Sequence, residues 1–297
     1  MLFVYISQER APLKCMNHAA KVGEWRWWAS GQLNRRFRDI VHHSGLFELV
    51  HCSYRFTDKI LVSGFVERWQ PETNTFHLPF GEMTVTLDDV AAILGISVMG
   101  ASVSLSVDRL SDRDAEDLLV QLLDVSRDDA RQEVLSVRGQ SVRLEWLKSH
   151  FQDVSDSDSR RRIECAARAY LLFLLGCTLF VDKSGTRVPI AYLALLRHLD
   201  RVRTYAWGAG ALAHLYRQLG IASRASVRQI SGYMTLLQAW IYEHFPYLSP
   251  HPALDYTDAR PRVHRWMPGS PPRSTMDHLV ILRESLDVLR ADEVCTI

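Results

Sequence analysis

Two pairs of potential metal ligands occur in the N-terminal part of the chain, Cys15 with His18 and His51 with Cys52. Thiolate and imidazole groups are the usual ligands of structural zinc, and four of them complete a tetrahedral site. The CxxH…HC spacing matches no common zinc finger, however, and adjacent residues such as His51 and Cys52 point to opposite faces of a strand. We therefore predict no metal site.

Motifs for covalent catalysis and phosphate binding are missing from the sequence. It contains no GxSxG nucleophile elbow, no HExxH, and no GxxxxGK[ST] or strand-linked GxGxxG loop. His214 lies in a stretch of small residues, 205–219, and we interpret it as a packed or partly exposed side chain rather than as a general base. The sequence thus predicts neither a catalytic residue nor a cofactor.

Basic and aromatic residues come together in the proline-rich stretch 250–274. There Arg260, Arg262 and Arg265 surround Trp266, and the prolines predict an extended, irregular strap over the surface. Arginine and aromatic side chains are residue types that hold single-stranded nucleic acid. Because acidic and basic residues are balanced over the chain, surface ion pairs are the simpler interpretation. Nucleic-acid contact through these four residues is kept as the alternative.

A second aromatic group, Trp25, Trp27 and Trp28, also allows two interpretations. Three indoles in four residues could form an exposed platform for a base or a peptide. Such residues more often anchor a segment in the core, and we favour that interpretation.

Residues 86–97, TLDDVAAILGIS, resemble the first helix and turn of a helix-turn-helix motif. In that motif the following helix presents polar and basic side chains to the major groove of DNA. Here VMGASVSLSV follows, without a charged residue before Asp108. We therefore predict no base-reading helix at this point.

The stretch before this helix has the pattern of a β-hairpin. A four-residue turn over 79–82, containing Gly81, pairs Leu78 with Met83. Phe76 then pairs with Val85, and the four apolar side chains share one face.

Local rules also define the helix itself. Thr86 is the predicted N-cap, and Asp89 at position N3 completes a capping box. Val85 and Val90 form a hydrophobic staple, and Gly95 takes the left-handed closing position. Because all these signals agree, we interpret hairpin and helix as a folding nucleus and not as a reactive site.

Composition places the chain among ordinary globular proteins. It has 297 residues, of which 47% are hydrophobic, and a formal charge of +1; only five of its 35 basic residues are lysines. Its five cysteines form no close-spaced pair, which indicates reduced thiols. We recognise no signal peptide, and no apolar stretch reaches the roughly 20 residues that cross a bilayer. We expect a soluble protein of the reducing cell interior.

Hydrophobic periodicity and cap motifs predict a mainly α, multi-helix globular domain with a small antiparallel β-hairpin near residues 75–86. Residues 163–181 are apolar nearly all round, which is typical of a central buried helix. Other predicted helix starts are Thr57 as the cap of a helix over 58–69, Ser111 with Asp114, Ser126 with Asp129, Pro189, and Ser274 with Asp277.

An acidic, serine-rich segment, residues 153–162, is the predicted linker between two parts of the chain. The N-terminal part, 1–152, contains the hairpin, and the C-terminal part, 163–297, packs on it to form one domain. The serines could be phosphorylation targets, but Asp and Ser at this place are better explained as caps of the next helix.

Four long segments resemble the plant mobile domain, the domain of the MAINTENANCE OF MERISTEMS proteins. They are RAPLKCMNHAAKVGEWRW, the region from SGLFELV to DDVAAILGI, the region from ARAYLLFLLGCTLFVDKSG to GAGALAHLYRQLG, and SGYMTLLQAWIYEHFP. The resemblance covers almost the whole chain. It implies a mainly helical domain, found in transposable elements and in host genes. Host members are implied to have nuclear roles in meristem maintenance, transposon silencing and genome integrity, with a partner resembling a type-7 phosphatase.

Two enzyme labels accompany this family, "aminotransferase-like" and "serine/threonine-protein phosphatase 7 long form homolog". An aminotransferase needs a Schiff-base lysine and a phosphate cup on a large α/β scaffold. A metallophosphatase needs ligand motifs such as GDxHG, GDxxDRG and GNHE. The sequence provides neither, so we predict a non-enzymatic nuclear interaction module. The rival hypothesis is a transposon-derived accessory protein that binds nucleic acid.

Overall fold

The structure is a computed structural model that describes residues 10–17, 19–25, 34–104, 110–137, 140–269 and 276–295. Within these ranges the chain is mainly α-helical, as predicted. The helices are α1 (Ala19–Val22), α2 (Arg35–His43), α3 (Lys59–Val66), α4 (Leu87–Leu94), α5 (Asp112–Leu123), α6 (Arg127–Val137), α7 (Leu144–Phe151), α8 (Arg160–Cys177), α9 (Tyr192–Leu195), α10 (Trp207–Ala222), α11 (Met234–His244) and α12 (Met276–Asp287). None of the described helices is both long enough and apolar enough to span a lipid bilayer.

Short strands form three small sheets. Strands β2 (Trp69–Gln70), β3 (Thr75–Leu78) and β4 (Gly81–Met83) make an antiparallel sheet, β5 (Ser141–Arg143) pairs antiparallel with β6 (Arg187–Pro189), and β1 (Lys14–Cys15) pairs parallel with β7 (Gln229–Ile230). Short 3₁₀ turns cover Phe47–Val50, Leu199–Thr204, Pro246–Leu248, Arg262–Arg265 and Ala291–Glu293.

The chain divides into two compact units. Unit 1 consists of Met1–Asn17, Tyr54–Gly95 and Ala211–Ile297, and unit 2 consists of His18–Ser53 and Ile96–Gly210. The predicted linker, 153–162, lies inside unit 2, and a domain boundary at that segment stays a prediction.

Unit 1 has an aromatic core centred on Phe76. Its ring lies 4.8 Å from that of Trp69 and stacks on Trp240 at 5.2 Å, measured between ring centroids. Phe65 packs edge-on against both Phe76 and Phe245. All five side chains are fully buried, so the hairpin contributes directly to the core of unit 1.

Unit 2 is organised around the long helix α8. Thirteen of its eighteen residues are buried, in agreement with the predicted central helix. Tyr170 and Phe173 of α8 pack against Trp25 at 5.2 Å, and Phe37 of α2 contacts Tyr170 at 5.8 Å. Trp25 is therefore a core anchor, whereas Trp27 and Trp28 lie outside the described residues.

The predicted register of the hairpin is wrong. Phe76 pairs with Met83 and Leu78 with Gly81, so the loop contains only Pro79 and Phe80. Proline fixes a negative φ and cannot occupy the primed turns that usually close two-residue hairpins. The positive φ occurs instead at Gly81, at +146°, which is the first residue of β4 and follows the loop directly.

Two of the predicted helix starts, Thr57 and Pro189, are wrong. The cap of α3 is Asp58, which accepts hydrogen bonds from the amides of Ile60 and Leu61, because the hydroxyl of Thr57 is bonded to Asn17. Helix α3 also ends at Val66, since Trp69 joins the sheet. Pro189 ends strand β6 and starts no helix.

Other caps agree with the sequence. Ser111 and Asp114 form the predicted capping box of α5, and the Ser126 hydroxyl accepts a hydrogen bond from the amide of Asp129. Within the acidic segment, Ser159 caps α8. The carboxylate of Asp156 accepts hydrogen bonds from the first two amides of α2, those of Arg35 and Arg36. Ser274, the start predicted for the last helix, lies outside the described residues.

Candidate functional site

Helix α11 carries two buried ionisable residues, Glu243 and His244, in its last turn. Every residue of this helix is buried, and it ends just before Pro246. Burial of a charged group is costly unless it is paired and hydrogen-bonded. The partners of these two side chains therefore define the most unusual chemical environment of unit 1. We call Asp89, Glu243, His244, Arg262, Arg265 and Trp266 the ionic cluster.

In one half of the ionic cluster, the carboxylate of Glu243 accepts hydrogen bonds from the surrounding side chains. Trp266 Nε1 donates to its Oε1 at 2.6 Å, and Arg262 and Arg265 approach its Oε2 at 3.1 and 3.4 Å. The Glu243 side chain is 1% exposed, against 37% and 42% for the two arginines. The carboxylate is thus enclosed, and its charge is balanced by cations that keep contact with water.

His244 connects three segments in the other half of the cluster. Its Nδ1 lies 2.7 Å from the carbonyl oxygen of Cys295, and its Nε2 lies 3.1 Å from Oδ1 of Asp89. A carbonyl oxygen only accepts, so Nδ1 must be the donor there. A ring with both nitrogens protonated satisfies the carbonyl and the Asp89 carboxylate together.

Asp89 has a second role as the capping-box residue of α4. Its Oδ2 accepts hydrogen bonds from the amide and the hydroxyl of Thr86, and the Thr86 hydroxyl accepts from the Asp89 amide. Burial favours a raised pKa for Asp89, but the hydrogen bonds from His244 and Thr86 outweigh burial and lower this pKa below its ordinary value. Gly95 closes the same helix in the left-handed conformation, as predicted.

The Asp89–His244 pair resembles the base component of an acid–base catalyst, but its geometry is that of a structural link. Both ring nitrogens of His244 face protein acceptors, and both side chains are almost fully buried. A general base needs a free nitrogen within hydrogen-bond reach of its substrate. The arrangement ties α4, α11 and the segment around Cys295 together.

The structure brings together residues that belong to separate motifs in the sequence. Asp89 came from the hairpin–helix motif, and Arg262, Arg265 and Trp266 came from the proposed nucleic-acid strap. Arg260 lies outside the cluster and pairs with Asp255 at 3.5 Å. Glu243 and His244 were missed, although two ionisable residues within the apolar run MTLLQAWIYEHF were a usable signal. Nucleic-acid contact through the strap stays a prediction.

Cysteine chemistry is weak in the described residues. All five cysteines are free thiols. Burial raises the pKa of Cys15 to about 12 and also raises that of Cys177, so both remain protonated at neutral pH. Over the described ranges no group of three or more His, Cys, Asp or Glu residues is arranged to hold a metal ion. His18, one of the four ligands considered from sequence, lies outside those ranges.

Fold and site together define a mainly helical protein whose most deeply buried charges hold its own segments together. Sequence comparison gives the family: the profile of the plant mobile domain matches residues 45–296. The chain belongs to the plant mobile domain family.

Several relatives come from Arabidopsis thaliana. The chain is 37% identical to "Protein MAIN-LIKE 2" over 295 residues, which is 98% of this chain and 42% of the relative. It is 35% identical to "Protein MAINTENANCE OF MERISTEMS" over 81% of this chain and 48% of the relative. It is also 38% identical to "Serine/threonine-protein phosphatase 7 long form homolog", over 67% of this chain and 14% of the relative. The chain thus spans less than half the length of each of these relatives, and no solved structure matches it.

Proposed function

We propose that this chain is a non-enzymatic interaction module that acts in the nucleus by contact with a protein partner. Its role would lie in meristem maintenance, with transposon silencing and genome integrity as the outcome. The observation that supports the proposal is membership of a family whose relatives carry the name MAINTENANCE OF MERISTEMS. The ionic cluster adds support, because its histidine and carboxylates contact the protein itself and leave no free base.

Helix α12 offers a surface for such contact. Its buried face consists of Leu279, Leu282 and Leu286, which is the normal stripe of a helix packed on a core. Ile281 on the same helix and Val288 just after it are 61% and 75% exposed. Exposed apolar side chains are the residue type that protein–protein contact sites use.

A phosphatase-like protein is the partner that we propose. One relative of this chain is named as a phosphatase 7 long form homolog, and the similar region occupies only 14% of it. A domain of this type therefore occurs in a protein that is named after a phosphatase. If this chain binds a separate phosphatase-like protein, the complex would combine the same two components: a plant mobile domain and a phosphatase-like protein.

Affinity capture from plant nuclei tests the proposal. The full chain should recover a phosphatase-like protein, and the double variant Ile281→Asp/Val288→Asp should lose most of it. Leu135→Asp serves as a matched control, because Leu135 is an equally exposed apolar residue on α6 in unit 2. Failure to recover any specific protein would count against an interaction module. Phosphatase turnover by the purified chain, or pyridoxal absorbance, would show that it is an enzyme.

The nucleic-acid alternative has its own test. If the strap binds DNA or RNA, affinity should fall steeply with salt concentration, and Arg260→Gln should weaken binding and reduce the salt slope. Arg260 is the best residue for this test, because Arg262 and Arg265 also contribute to the fold through Glu243. Salt-dependent binding that Arg260→Gln weakens would favour the alternative over the protein partner.

A further inference from the structure

Unit 2 contains a small open cavity of about 180 Å³ that is lined by four basic residues. They come from different elements: Lys21 from α1, Arg143 and Lys148 from either side of the start of α7, and Arg187 from β6. The acidic lining residues are Glu24 and Glu145. Positive side chains on several sides of one cavity indicate an anionic ligand, provided that the protein does not already neutralise them.

Two of the four cations are already paired. Arg143 makes several hydrogen bonds to the buried Glu133 carboxylate through its guanidinium, and one through its backbone amide. Lys148 Nζ lies 3.0 Å from Glu24 Oε2. Glu24 is half exposed and its carboxylate can turn towards water, so Lys148 can be shared with a ligand.

Among the described residues, the hydrogen-bond partners of the other two cations are backbone carbonyls. Lys21 Nζ donates to the carbonyl of Gly185 at 3.4 Å, and Arg187 donates to the carbonyl of Val137 at 2.9 Å. In the part of the chain that the structure describes, no carboxylate lies within 4.0 Å of either charged group. Both side chains are only partly exposed, so water screens their charges less than it would on an open surface.

Paired strands and a buried helix form the frame of the cavity. The pairing of β5 with β6 places Arg143 opposite Arg187, and the Leu144 amide donates to the carbonyl of Thr186 at 2.8 Å. Phe173 of the buried helix α8 forms part of the lining. Helix α7 starts at this wall, and Arg143 at its N-cap position provides no side-chain cap. The partial positive charge of the helix start adds to that of the cations.

We propose that this cavity binds a phosphomonoester group. A phosphoryl group has three terminal oxygens and about two negative charges at pH 7, so Lys21, Lys148 and Arg187 can each contact a separate oxygen. A carboxylate has two oxygens and one charge and would leave one cation unpaired. The cavity is smaller than the roughly 300 Å³ of sites that enclose whole small molecules. It therefore accepts the phosphoryl head, while the rest of the ligand stays outside.

The phosphoryl group could belong to a phosphorylated side chain of another protein or to free phosphate, and titration distinguishes the two. Inorganic phosphate, a phosphoserine peptide, its unphosphorylated counterpart and acetate are titrated into the full chain at about 150 mM salt, where exposed charges are well screened. Amide NMR signals of Leu144, Thr186 and Arg187 should shift with phosphate and with the phosphopeptide. A phosphopeptide that binds more tightly than phosphate identifies a phosphorylated protein as the source, and equal affinities identify free phosphate.

Charge variants test the proposed phosphate site, because some should weaken phosphate binding and one should tighten it. Lys21→Gln and Arg187→Gln should each weaken phosphate binding at least tenfold, because each removes a charge-assisted hydrogen bond. Glu145→Gln should tighten binding, since it removes a competing carboxylate from the cavity. Arg127→Gln is the matched control: it removes the same charge from an exposed pair with Asp117 elsewhere in unit 2, and it should leave binding unchanged.

The proposal would be overturned by any of three results: no saturable shift with phosphate or phosphopeptide, shifts confined to amides outside the cavity, or acetate binding as tightly as phosphate. Equal affinity of Lys21→Gln, Arg187→Gln and the unmodified chain would overturn it as well. Melting curves of each variant without ligand show whether a loss of binding reflects a loss of folding. If one of Lys21→Gln and Arg187→Gln does not fold, the other provides the test, and Lys21→Arg, which keeps the charge, should keep binding. The outcome is independent of the proposed protein interaction through α12.

Discussion

The two units of this chain have different kinds of interior. Unit 1 buries ten polar or charged residues in the described part of the chain, and unit 2 buries four. Those of unit 1 include Asp89, Glu243 and His244, whereas the interior of unit 2 is dominated by the apolar helix α8. We therefore expect unit 1 to be sensitive to changes of charge and pH, and unit 2 to be sensitive to changes of shape.

The two units can also be compared through the partners of their cations. We call a cation structural when it is held in a buried ion pair, and available when it can still bind a ligand. In unit 1, Arg283 contacts Glu67 at 2.7 Å in a two-pronged pair that is largely buried. In the cavity of unit 2, the hydrogen bonds that Lys21 and Arg187 make within the described ranges go to carbonyl groups. Substitution of a paired cation in unit 1 should change stability, whereas substitution of a cavity cation should change binding.

The largest expected effect tests the dependence of unit 2 on shape. A Cβ at Gly100 would lie 2.1 Å from the carbonyl oxygen of Thr204, and φ at Gly100 is +130°. The Ala101 amide donates to the same carbonyl, so the oxygen cannot move away freely. Gly100→Ala should lower the free energy of unfolding by about 4 kcal/mol, from backbone strain and overpacking together. Urea denaturation measures this change.

Gly81→Ala is the control for Gly100→Ala. Gly81 in unit 1 also has a positive φ, +146°, but a Cβ there meets no atom within 4 Å. Gly81→Ala should lower the free energy of unfolding by about 1–2 kcal/mol, because it adds backbone strain without overpacking. Equal losses for the two variants would show that close packing at Gly100 contributes nothing.

The second prediction tests the dependence of unit 1 on charge. In the double variant Arg262→Gln/Arg265→Gln the buried Glu243 carboxylate loses both arginines and, of its partners in the described ranges, keeps Trp266 as a hydrogen-bond donor. A buried charge without a counter-ion is costly, and we expect a loss of about 3 kcal/mol in the free energy of unfolding. Adding Glu243→Gln should restore part of this loss, because the neutral amide can still accept from Trp266. A triple variant less stable than the double variant would contradict this explanation.

Local structure was predictable from the sequence where the interacting residues are neighbours. Thr86 with Asp89 and Ser111 with Asp114 are three residues apart, so capping rules identify them directly. The hairpin register was missed because a proline-containing loop was treated as four residues instead of two.

Long-range contacts were not predictable in the same way. Asp89 and His244 are 155 residues apart, and Arg35 bonds to Asp156 across 121 residues. Capping rules and hydrophobic periodicity do not specify which distant segments meet. For the same reason the ionic cluster was found only in part: its residues appeared in two separate motifs, and the acceptor Glu243, which joins the arginines and Trp266, belonged to neither.

The third prediction concerns pH. The pKa of Asp89 is lower in the folded protein than its ordinary value of 3.8. Its ionised form therefore stabilises unit 1 fully above that value, and this contribution is lost as the pH falls through the folded pKa. Asp89→Asn should lower the free energy of unfolding by about 2 kcal/mol at pH 7, since it disrupts the hydrogen bonds to His244 and Thr86. The difference in the free energy of unfolding between Asp89→Asn and the unmodified chain should become smaller below about pH 4.

Asp114→Asn is the matched control for this pH dependence. Asp114 forms the same kind of capping box with Ser111, but its side chain is exposed on α5 of unit 2, and among the described residues no histidine contacts it. Its substitution should destabilise the chain less than Asp89→Asn. Urea titrations of both variants between acid and neutral pH give the answer. If Asp114→Asn proved as costly as Asp89→Asn, the contribution of His244 would be ruled out.

The smallest expected effect belongs to an exposed ion pair of unit 2. Arg161 contacts Asp124 at 2.6 Å, yet both side chains are more than half exposed. Water and salt screen such a pair, and ordering two mobile side chains offsets its attraction. Arg161→Gln should therefore leave the urea midpoint unchanged within error, whereas Arg283→Gln in unit 1, which breaks the largely buried pair with Glu67, should lower it clearly. Equal shifts for the two variants would mean that burial does not decide which arginines stabilise this fold, and the distinction between structural and available cations would fail with it.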